Sequence, residues 1–138
     1  MSTFEDSKGR SWNISLNIGS MKRIKERLGF DFLSTDAESN PILKLASDYL
    51  TLADVVWILV EDEAGKRGVT VDDFVESLVG DPLDKLVDAM AVAYTDFTPN
   101  PKRRETLMRL WQKVRQAEEL ALSQASAKIV KDPQMDGR

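Results

Sequence analysis

Apolar and polar residues alternate one by one near the start of the chain, then change to a spacing of three and four. From Ser11 to Ile18 the alternation is strict. Trp12, Ile14, Leu16 and Ile18 share one face, and Ser11, Asn13, Ser15 and Asn17 share the other. A period of two is that of a half-buried strand. With Thr3–Glu5 as the partner strand and Asp6-Ser7-Lys8-Gly9 as the turn, the pattern predicts a β-hairpin over residues 3–18. Asp favours the first position of such turns and Gly the last. A lone hairpin is marginal in water, so the apolar row is expected to rest on helices, with an outer edge left unpaired.

Beyond the hairpin the period is helical. Met21, Ile24 and Leu28 form a stripe between Ser20, read as an N-cap, and the stop at Gly29. A polar connection spans residues 31–40. Asn40 and Pro41 then have the form of an N-cap followed by the first helical residue, with Ile42, Leu43, Leu45, Ala46, Tyr49 and Leu50 as the apolar face. Thr51-Leu-Ala-Asp54 reads as a capping box opening the apolar run Val55–Val60, the centre of the bundle. Gly65 and Gly68 close it. A further helix starts near Thr70 with Phe74, Val75, Leu78 and Val79 inward. The next has Asp81 as cap, Pro82 in first place, and a stripe of Leu83, Leu86, Val87, Met90, Ala91 and Tyr94. Phe97–Pro101 is a break. The last helix runs from Pro101 to about Val130 with Leu107, Leu110, Trp111, Val114, Ala117, Ala121 and Leu122 as its apolar positions. At 1.5 Å per residue it is ~45 Å long, against ~30–35 Å for a globule of this size, so its far end should project or fold back.

The fold class this implies is α+β and mostly α. An N-terminal hairpin packs on a bundle of five or six helices, the last of them long. Residues 1–131 are expected to form one domain, and residues 132–138 a disordered polar tail.

Composition narrows the chemistry. The chain has 138 residues, 42% hydrophobic and 30% charged, a globular balance. Its apolar run Val55–Val60 is far below the ~20 residues that span a membrane. The polar, acidic start does not read as a signal peptide, so the expected location is the cytoplasm. Cys and His are both absent. That excludes disulfides, thiolate nucleophiles, Cys/His metal sites and histidine relays. It shifts weight from catalysis to binding, with no cofactor expected.

Charge is divided unevenly. Residues 1–100 hold 10 Lys and Arg against 18 Asp and Glu, a net of −8, whereas residues 101–131 hold 8 against 3, a net of +5. An acidic body followed by a basic helix favours contact with an acidic partner, or head-to-tail contact between copies. A solvated helix face explains the same residues without a partner.

Other candidates fail on spacing. Read as a calcium loop, Asp62–Asp73 places Ala64, Lys66 and Arg67 where oxygen ligands and a glycine are needed. The carboxylate pair Asp72/Asp73 suits the first turn of a helix, where the dipole favours negative charge. Neither phosphate-cradling glycine motif is present. The segment Pro101–Gln116 is the most informative. Arg104 and Arg115 flank a stripe of Leu107, Leu110, Trp111 and Val114, a face that closes the core or docks in a groove on another chain. The exposed hairpin positions Asn13 and Ser15 mark a second candidate surface, an edge that a partner strand could extend. The competing reading is a small nucleic-acid-binding or regulatory module using the basic C-terminal helix.

In order of elements, FEDSKGRSWNISLNIGSMKRIKERLGFDFL, then ADVVWILVEDEAGKRGVTVDDFVESLVGD and the break DFTPNP, the chain resembles the tail assembly chaperones of long-tailed phages over roughly Phe4 to Leu110. The resemblance implies a mostly helical, non-enzymatic protein. Its implied partner is the tape measure protein, held soluble in the host cytoplasm while tail tube subunits polymerise around it.

Overall fold

The computed structural model describes residues 2–33 and 40–131, with side chains as far as residue 126. Residues 34–39 of the polar connection and the tail at 132–138 lie outside it. Two strands and six helices occur among the described residues: β1 (Ser2–Glu5), β2 (Ser11–Ile14), α1 (Ile18–Leu28), α2 (Pro41–Ala46), α3 (Tyr49–Lys66), α4 (Val71–Glu76), α5 (Asp81–Phe97) and α6 (Pro101–Lys131). The α+β, mostly α class holds. By compactness the chain forms two units, Met1–Pro99 and Asn100–Arg138.

In the first unit, β1 and β2 pair antiparallel with Phe4 opposite Trp12 and Ser2 opposite Ile14. The turn is tight. Asp6 N–H donates to Arg10 C=O at 2.9 Å and Gly9 N–H to Asp6 C=O at 3.0 Å. Gly9 sits at φ 81°, which makes this a type I turn closed by a glycine bulge. Phe4, Trp12, Ile14 and Leu16 are buried as the alternation predicts. Ile18 is not. It is the first residue of α1 and is 58% exposed, because the alternation carries past the strand only as far as Leu16 and a helix begins at Ile18.

The hairpin's buried face rests on α3 and α5, and α3 also touches α1, α2 and α4. Leu52, Val55, Val56, Ile58, Val60 and Ala64 of α3 are buried, the central position expected of a helix apolar nearly all round. α5 adds Leu86, Val87, Met90 and Ala91, and α4 inserts Phe74.

Several helix starts differ from the sequence reading. The N-cap of α1 is Asn17, not Ser20. Its Oδ1 accepts the Ser20 N–H at 2.8 Å, while Ser20 Oγ accepts the Asn17 N–H at 3.0 Å. Ser20 is thus the reciprocal partner of a capping box. A break at Ser47 and Asp48 separates α2 from α3. Asp48 is the cap of α3, with its carboxylate accepting from Thr51 N–H at 3.2 Å and Thr51 Oγ1 at 2.7 Å. The capping role assigned to Thr51 and Asp54 therefore lies one turn too late. α5 starts after Gly80 at φ 69°, with Asp81 as its first residue. Asn40, Thr70 and Gly29 play their expected parts. Asp62–Lys66 form the last turn of α3, which leaves no calcium loop.

The second unit is α6. It begins at Asn100, a non-glycine residue at φ 80°, whose Oδ1 accepts the Lys102 N–H at 2.9 Å. Asn tolerates the left-handed region better than most residues. No helix among the described residues is long and apolar enough to cross a membrane.

Candidate interaction surfaces

The hairpin turn is held by one carboxylate. Asp6 is 3% exposed. Its Oδ1 accepts the N–H groups of Lys8 and Arg10 at 2.9 and 3.0 Å. Its Oδ2 accepts Arg10 Nε at 2.8 Å and the Trp12 indole N–H at 2.9 Å. Burial alone would raise its pKa. The bonds from Trp12, Arg10 and Lys8 outweigh burial and lower it to about 2. Arg10 then reaches Asp73 of α4 with Nη1 at 2.8 Å, and Lys8 pairs with the same carboxylate. Beneath this network Phe74 meets Trp12 edge-on at 5.3 Å and Phe4 at 6.4 Å, with Trp57 at 5.7 Å. Arg67 stacks its guanidinium 4.4 Å from the Trp12 ring centre. Asp6 was legible only as a turn former. Its network depends on Asp73, far along the chain, and no local signal marks that.

The same node bears on the hairpin edge. The Asp6–Arg10 bond sets the ladder's phase, so Ser11 and Asn13 turn their backbone groups outward. Arg67 Nη1 donates to the Ser11 carbonyl at 2.9 Å. The outer edge expected to be unpaired is therefore partly taken by a side chain of the same unit. Asn13 and Ser15 are exposed, with Ser15 just past the end of β2.

A second surface lies where α2 meets α3. Leu43, Tyr49 and Leu50 were expected to face inward, and all three are exposed, Leu50 at 83%. α3 restarts after the break at Ser47–Asp48 with Leu50 outward and Leu52 buried. Asp54, one turn after Leu50 on the same face, is exposed as well. From residue 45 to 65 the chain carries Asp48, Asp54, Glu61, Asp62 and Glu63 and neither Lys nor Arg. Two of these are paired: Glu61 with Arg27 at 2.6 Å and Glu63 with Arg67 at 3.8 Å.

α6 carries the remaining sequence candidates, so these residues and the hairpin positions belong to different units. Leu107, Trp111, Val114 and the basic Arg104 and Arg115 are half-buried. Leu110, Leu120 and Leu122 are exposed at 49%, 59% and 62%. The Arg115 guanidinium lies 5.0 Å from the Trp111 ring centre and 3.3 Å from Glu118. Leu107, Leu110, Val114, Ala117 and Ala121 follow the three-and-four spacing of one helix face, with Leu120 and Leu122 on either flank.

The chain matches no protein-family model, no curated protein and no solved structure.

Proposed function

We propose that this chain is a non-enzymatic binding protein of the tail assembly chaperone kind, which holds a tape measure protein soluble during tail morphogenesis. The observation that carries the reading is the exposure of three leucines on α6: Leu110, Leu120 and Leu122. Leucines left in water on a 31-residue helix are adhesive surface, the property a holding protein needs. The net charge of −4 favours a complex that stays in solution. Order of elements supports the same family, from the hairpin to the break before α6.

The test is co-expression with a tape measure protein, scored by the soluble fraction of that client. The native chain should raise it, and Leu110→Ser combined with Leu122→Ser should abolish the gain. Equal client solubility with and without the native chain would refute the proposal. Salt separates it from the nucleic-acid reading. Apolar docking should change little with ionic strength, whereas phosphate contacts weaken steeply.

A further inference from the structure

We propose that the acidic corner where α2 meets α3 docks a basic amphipathic helix of another protein, laid along one face of α3. At about 100° per residue, the positions four, seven and eleven residues after Leu50 return to within about 40° of it. They are Asp54, Trp57 and Glu61. Leu50 is 83% exposed, Asp54 is exposed, and Trp57 and Glu61 are half-buried. Apolar and acidic groups therefore alternate turn by turn along one strip of α3, ~16 Å long. Trp57 is the anchor. Its ring lies 5.7 Å from that of the fully buried Phe74, which holds the indole in place before any ligand arrives. Fixed aromatic side chains of this kind carry much of the energy of an interface.

The charges say what covers the strip. α3 has no Lys or Arg before Lys66. Glu61 shows what a carboxylate on this face takes, because Arg27 of α1 reaches it at 2.6 Å. Asp54, two turns earlier, has no ion pair among the described residues. A phosphate backbone or an anionic membrane would be repelled here. A purely apolar ligand would bury the Asp54 carboxylate without a partner, which is costly. A helix with apolar side chains seven residues apart and a Lys or Arg in the turn between them meets Leu50, Asp54 and Trp57 together. The inference uses no residue of α6, so it and the chaperone reading can fail separately.

The probe is a fluorescein-labelled helical peptide of about 18 residues, with leucines seven residues apart and lysines in the turns between. Anisotropy reads its binding to the full chain, and a peptide of the same composition in scrambled order controls for charge alone. The ordered peptide should bind roughly tenfold or more tightly than the scrambled one. Leu50→Ser should weaken it roughly tenfold, the scale of leaving a leucine unburied. Asp54→Lys should lose the basic peptide and gain a version with glutamates in place of its lysines. Asp62→Lys makes the same change of charge about 120° around α3 from Leu50, and should leave binding nearly unchanged. Leu50, Asp54 and Asp62 are all exposed, so circular dichroism should not change in any variant. Equal binding of ordered and scrambled peptides would overturn the proposal. So would equal losses from Asp54→Lys and Asp62→Lys. Sedimentation showing a second copy on the strip, with a mass above the monomer that Asp54→Lys alone abolishes, would overturn it too.

Discussion

The hairpin node and α6 handle apolar surface in opposite ways. At the node, Trp12 and Phe74 are 1% and 0% exposed, and the buried carboxylate beside them has every oxygen engaged. Along α6, Leu110, Leu120 and Leu122 are about half exposed or more. The first region spends its residues on holding the unit together. The second leaves surface that contributes almost nothing to folding, and such surface is where a partner acts. Substitutions in the two regions must therefore separate cleanly into losses of stability and losses of binding.

The largest effect should come from the aromatic cluster. Phe74→Ala removes the ring that Trp12, Phe4 and Trp57 all touch. A loss of about 4 kcal/mol is expected from transfer and cavity terms together, read by denaturant unfolding followed by tryptophan fluorescence. A loss below about 1 kcal/mol would mean that α4 is not seated under the hairpin.

Next is Asp6. Asp6→Ala leaves Arg10 Nε and the Trp12 indole N–H without their acceptor, at about 3 kcal/mol. The same group sets an acid limit. Its folded pKa is about 2 against an ordinary 3.8, so its stabilising effect is complete above pH 4 and disappears as pH falls through 2. The Asp73 carboxyl, lowered first by Lys8 and then by Arg10, titrates in the same direction. Stability should therefore fall by about 2 kcal/mol from Asp6 as pH drops from 4 to 2. In Asp6→Asn that part of the slope should vanish. An unchanged acid profile would remove Asp6 from the account.

A smaller effect is expected at the start of α1. Asn17→Ala removes the acceptor for the Ser20 N–H and should cost about 1 kcal/mol. Ser20→Ala should cost less, since Ser20 fills only the reciprocal place of the capping box. Equal costs would restore Ser20 to the role the sequence suggests.

That reversal shows where reading the chain alone succeeds and where it stops. Features set by neighbouring residues were legible: the Asp6–Gly9 turn, the alternation at Trp12 and Ile14, the cap at Asn40, the helix start near Thr70, and the stop at Gly29. Asn17 and Ser20 are both competent caps three residues apart, and only backbone geometry ranks them. The break at Ser47–Asp48 was missed because the apolar pattern runs across it, from Ile42 to Leu50, as if through one helix. Leu45 before it and Leu52 after it are both buried, while Leu50, which one continuous apolar face would bury, is exposed. Contacts between distant residues left no local trace. Arg67 over Trp12 and Arg10 against Asp73 are chosen by the packing of α3 and α4 on the hairpin, not by any spacing. Of the stripe Leu107, Leu110, Trp111 and Val114 read from the sequence, only Leu110 is exposed, and the acidic corner was not legible, since its leucines look like core until the break is seen.

The smallest expected effect on folding tests the difference most directly. Leu110→Ser with Leu122→Ser changes two residues that are 49% and 62% exposed. Exposed positions without a special structural role typically shift stability by no more than about 0.5 kcal/mol. At concentrations low enough to keep the chain monomeric, the unfolding midpoint of this variant should match the native one within error. With a tape measure protein present the native chain should gain apparent stability through binding, and the variant should not. A drop of about 2 kcal/mol under monomeric conditions would show that these leucines are covered within a single chain. In that case α6 is part of the fold's own core, and nothing would separate it in kind from the hairpin node.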